Sequence, residues 1–65
     1  MSNNVWLLTQ EIHGLENHQE TLTNLNETLK SSHLQIAIRD ISEAIDSIQE
    51  VISEEVDAED SNDSN

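Results

Sequence analysis

The sequence predicts an all-α protein: a two-helix antiparallel hairpin of coiled-coil type that self-associates into a helical bundle and ends in a disordered acidic tail. Apolar residues recur at alternating steps of three and four in both halves of the chain, which is the spacing of helices that pack along their length. The 65 residues include no proline and one glycine, so little interrupts a helix. A formal net charge of −12 predicts an acidic exterior.

The strongest pattern lies in the second half of the chain, where we predict a helix from about 34 to 56. Its apolar seam is Leu34, Ile38, Ile41, Ile45, Ile48 and Ile52. Ala37, Ala44 and Val51 widen this stripe beyond a two-stranded seam. Isoleucine at both core positions of the heptad also disfavours a simple parallel dimer. Two hairpins joined into a four-helix bundle satisfy both observations.

A first helix is predicted from about 4 to 30, with a change of phase inside it. The first apolar residues at heptad steps are Val5, Leu8, Ile12 and Leu15. The next are Leu22, Leu25 and Leu29, which align instead with His18. This irregularity lies beside Gly14, where a helix costs about 1 kcal/mol relative to alanine, so we expect a kink or frayed turn near residues 13–19. Alternatively, the helix begins only near Leu15 and the N-terminal stretch packs separately.

The break between the helices is predicted at residues 31–33. Ser32 with Gln35 three residues later has the capping-box pattern, and Lys30 suits a helix C-terminus. These boundaries define a helical domain over residues 1–56. Beyond Val56 the chain contains only Asp, Glu, Ser, Asn and one Ala, so residues 57–65 are predicted to be disordered.

The charge restricts the kinds of partner. Fourteen acidic residues stand against Lys30 and Arg39, a balance that repels nucleic acid and anionic lipid. Ten of these acids follow His33, so the second half carries most of the charge. We expect no direct nucleic-acid binding and no membrane partner, but another protein with a basic surface. No apolar run reaches the roughly 18 residues of a membrane span and no signal peptide is recognised, so we expect a cytoplasmic location.

Catalysis and cofactor binding are not predicted. The chain has no cysteine, which excludes disulfides and thiolate metal sites. His13, His18 and His33 lack the spacing of helical metal sites. Two helices with a narrow seam are also expected to leave no pocket of the roughly 300 Å³ typical of a ligand site. We therefore expect a protein that is not an enzyme and has no catalytic, metal-binding or cofactor-binding residues.

Two surfaces are candidate interaction sites. A seam for self-association, with a dimer favoured, or for a partner helix consists of Leu22, Leu25, Leu29, Leu34, Ile38, Ile41, Ile45, Ile48 and Ile52. An acidic face consists of Asp40, Glu43, Asp46, Glu50 and Glu54. Charges about 6 Å apart along a helix can imitate a phosphate strand. The alternative is that these acids only keep a helical protein soluble.

Trp6 is a third candidate. In an antiparallel hairpin the start of the first helix faces the end of the second, so we expect Val51, Ile52 and Val56 to bury Trp6. The alternative is an anchor for a partner, since tryptophan is enriched at binding hot spots.

These observations predict a small acidic interaction module that regulates a partner protein. The most specific hypothesis is an inhibitor that imitates nucleic acid and occupies a basic nucleic-acid-binding protein. The alternative is a coiled-coil assembly, adaptor or chaperone subunit whose charge serves only solubility. Salt separates them, because electrostatic mimicry weakens as ionic strength rises whereas an apolar seam does not.

Overall fold

Two long helices form an antiparallel hairpin. The structure, a computed structural model, describes the backbone of residues 3–63 and the side chains of residues 3–58. Helix α1 spans Asn3–Leu29 and helix α2 spans Ser32–Asp63, and the two pack against each other. The predicted all-α helical hairpin is therefore confirmed. The molecule is a rod with extents of 55 × 15 × 10 Å.

The inward side of α1 follows one uninterrupted heptad pattern. Its buried and half-buried side chains at these steps are Val5, Leu8, Ile12, Leu15, Gln19, Leu22 and Asn26. Gln19 takes the inward position, whereas His18 is exposed. The predicted change of phase is wrong, because it arises only when polar residues are left out of the pattern. Helix α1 is also continuous through residues 13–19, so neither a frayed turn nor a helix start near Leu15 is present.

The turn consists of Lys30 and Ser31, so it begins one residue earlier and ends two residues earlier than the predicted turn at 31–33. Lys30 has a φ of 51°, the left-handed conformation that commonly ends a helix. Its backbone N–H donates to the Asn26 carbonyl oxygen at 2.8 Å. The Ser31 backbone N–H donates to Asn26 Oδ1 at 2.6 Å. Asn26 therefore holds the end of α1 with both its main chain and its side chain.

Ser31, and not Ser32, caps α2. Ser31 Oγ accepts a hydrogen bond from the Leu34 backbone N–H at 3.3 Å, and the Ser31 carbonyl oxygen accepts one from Gln35 N–H at 3.1 Å. This is the N-cap geometry, in which a side-chain oxygen satisfies a free N–H of the first turn. The capping box predicted from Ser32 and Gln35 is wrong because the Asn26 bond to Ser31 closes the turn one residue earlier.

Helix α2 continues past the predicted boundary near residue 56 to Asp63. The predicted disorder of residues 57–65 stays a prediction, and residues 64 and 65 lie outside the described residues. No proline or glycine stands in this segment, and glutamate and alanine are good helix formers. This segment has almost no apolar surface to pack against α1, but its residues are still compatible with a helix.

The core is small. Only Val5, Ile12 and Ile45 are buried among residues 3–58, with 7%, 7% and 8% of their surfaces exposed. The remaining inward residues are half-buried. Neither helix within residues 3–63 is long and apolar enough to cross a membrane.

Candidate interaction surfaces

Seven of the nine residues of the predicted seam lie on the inward sides of α1 and α2 within one chain, and their role in self-association or in binding a partner helix stays a prediction. Ile45 is buried, and the half-buried members are Leu22, Leu34, Ile38, Ile41, Ile48 and Ile52. Leu25 and Leu29 do not lie in this seam, since 51% and 62% of their surfaces are exposed. Leu25 lies one heptad after the exposed His18, so it follows the phase that the structure corrects. Leu29 occupies an inward heptad step but is the last residue of α1.

Gln19 links the two helices with hydrogen bonds. Its Nε2 donates to the Ile38 carbonyl oxygen at 3.0 Å and also to Ser42 Oγ. A polar side chain at a core position needs such partners, because leaving it unsatisfied costs roughly 1–3 kcal/mol. These partners exist in one alignment of α1 against α2, so Gln19 specifies the register. The sequence contains a signal that Gln19 occupies a core position, because Gln19 lies seven residues after Ile12 and seven before Asn26.

An open groove runs along one side of the hairpin close to the turn. It has a volume of about 360 Å³ and is lined by Thr23, Asn26, Glu27, Gln35 and Ile38. The sequence predicts no pocket of roughly 300 Å³. The volume of this groove is larger, so that prediction is wrong about size. The groove is open to solvent and Glu27 is its only ionisable lining residue. It therefore offers no acid–base pair for catalysis.

All five residues of the predicted acidic face are exposed on the outer side of α2. They divide into two groups. Arg39 Nη2 lies 3.4 Å from Asp40 Oδ1, and Arg39 Nε lies 3.9 Å from Glu43 Oε1. One base therefore partly compensates the group nearer the turn.

The second group, which we call the uncompensated acidic face, consists of Asp46, Glu50 and Glu54. None of the three has an ion pair within residues 3–58. Successive members are four residues apart, which places them about 6 Å apart along the helix axis. Asp57 is also exposed and extends the same negative surface. Unpaired charge is thus concentrated from Asp46 toward the C-terminal end of α2.

Trp6 lies on the surface, contrary to the prediction that Val51, Ile52 and Val56 bury it. Its exposed fraction is 54%, and Val51 and Val56 are 42% and 40% exposed. The neighbouring Val5 occupies the inward position instead. A one-residue step rotates a helical side chain by about 100°, which is enough to turn Trp6 away from α2.

The histidines do not form a metal site in the described part of the chain. His13, His18 and His33 are all exposed. Among the residues whose side chains are described, no three His, Cys, Asp or Glu residues lie together in a way that could hold a metal ion. No protein-family model, curated protein or solved structure matches this chain.

Proposed function

We propose that this protein is a non-enzymatic inhibitor that places the uncompensated acidic face of α2 in the nucleic-acid groove of a basic protein. The observation that carries the proposal is that Asp46, Glu50 and Glu54 are exposed, evenly spaced and without a base partner on one continuous helix. The absence of cysteine supports a reducing compartment, so we place this activity in the cytoplasm.

The cost of this arrangement supports a role in binding. Like charges one helical turn apart destabilise a helix by a few tenths of a kcal/mol per pair. A basic groove would relieve this repulsion. The surface is therefore more favourable in a complex with a basic partner than alone.

The helical scaffold supports mimicry rather than diffuse attraction. The three carboxylates span about 12 Å along a rigid axis, whereas the same charges on a flexible chain would lose conformational entropy on binding. The net charge of −12 on 65 residues would also accelerate encounter with a basic protein at low salt.

A displacement experiment tests this proposal. The immobilised wild-type chain is incubated with a lysate of its source cells, and bound proteins are eluted with double-stranded DNA or with a salt gradient. We expect a basic protein that DNA displaces and that salt releases. The purified protein should then lose DNA binding when the chain is added, measured by fluorescence anisotropy of labelled DNA.

Two triple variants with the same change of charge make the test specific. Asp46→Asn/Glu50→Gln/Glu54→Gln removes the uncompensated acidic face and should abolish competition with DNA. The control Glu16→Gln/Glu20→Gln/Glu27→Gln removes three exposed acids from α1 and should retain it. Equal loss in both variants would show that only net charge matters, which contradicts mimicry by this face. A wild-type chain that captures no DNA-displaceable protein also contradicts the proposal.

A second candidate function is a subunit or adaptor in a helical assembly, with the acids serving solubility. Exposed apolar residues favour it, notably Trp6, Leu7 and Leu25 at 54%, 47% and 51% exposure. In that case, high salt should preserve or strengthen capture of the partner. The first triple variant should also bind as tightly as the wild type.

A further inference from the structure

We draw no further inference here: the strongest candidate, the exposed apolar surface patch of Trp6, Leu7 and Val56 toward the end of the hairpin opposite the turn, carries no proposal because nothing in the structure shows what covers it.

Discussion

Helices α1 and α2 contribute different properties to their shared interface. Every core position of α2 from Leu34 to Ile52 carries leucine or isoleucine, whereas α1 places Gln19 and Asn26 among its apolar core residues. Gln19 bonds across to α2, and Asn26 bonds to the turn. Helix α2 thus has the unbroken apolar seam, while α1 has two of the three buried residues among those described, Val5 and Ile12, and adds directional hydrogen bonds. In so small a core, burial holds the helices together but hydrogen bonds decide how they are aligned.

The largest effect should come from charging the buried seam of α2. Ile45→Asp places a carboxylate at an 8% exposed core position, and we expect a loss of at least about 3 kcal/mol in the free energy of unfolding. Ile36→Asp is the control, because Ile36 is 46% exposed on the same helix. Urea titration followed by circular dichroism at fixed protein concentration measures both. Similar losses in the two variants would contradict the assignment of Ile45 to the core.

A smaller loss should follow from removing the polar contact that α1 makes. Gln19→Ala deletes the bonds to Ile38 and Ser42, and we expect a loss of about 1–2 kcal/mol. The exposed Gln10 provides the control, since Gln10→Ala should be neutral within about 0.5 kcal/mol. The same urea titration serves as the measurement. An unchanged midpoint for Gln19→Ala would argue that register depends on apolar packing alone.

Substitutions at the start of α2 should distinguish the observed cap, Ser31, from the predicted cap, Ser32. Ser31→Ala removes the oxygen that accepts from Leu34 N–H, and we expect a loss of about 1 kcal/mol. Ser32→Ala should have little effect, because Ser32 is exposed and is the first residue of α2. Thermal unfolding of the pair measures the difference, and the opposite order of melting temperatures would restore the capping box.

The smallest effect, a gain in stability, should come from α1. A Cβ at Gly14 meets no atom within 4 Å, and the residue lies in a continuous helix. Gly14→Ala should therefore raise the free energy of unfolding by about 0.5–1 kcal/mol, through helix propensity and a less flexible unfolded chain. A decrease in the melting temperature would indicate that the helix is interrupted near Gly14 after all.

The heptad phase predicted from apolar residues alone is correct for α2 but wrong for part of α1. The isoleucines from Ile38 to Ile52 repeat without a polar interruption, so the heptad phase of α2 is visible in the residues themselves. In α1, Gln19 and Asn26 occupy inward positions, and a pattern built from apolar residues alone follows His18 and Leu25 instead. His18 and Leu25 are exposed, whereas Gln19 and Asn26, which have hydrogen-bond partners in α2 and in the turn, are half-buried.

The acidic face shows the same limit. Sequence spacing identified all five carboxylates as members of one outer surface. It did not separate Asp40 and Glu43, which Arg39 partly compensates, from Asp46, Glu50 and Glu54. That division depends on the direction in which one arginine side chain extends along the helix. A list of charges does not contain this direction.

By itself, the sequence determined that this protein is a pair of helices with an apolar seam and an acidic exterior, because periodicity and the absence of proline are local properties. Only the tertiary structure decided which polar residues of α1 turn inward and which apolar residues stay exposed. The physical reason is that the hydrogen-bond partners of Gln19 lie on the opposite helix and that of the Asn26 side chain lies in the turn. These partner groups come within hydrogen-bond distance only when α1 and α2 have packed together.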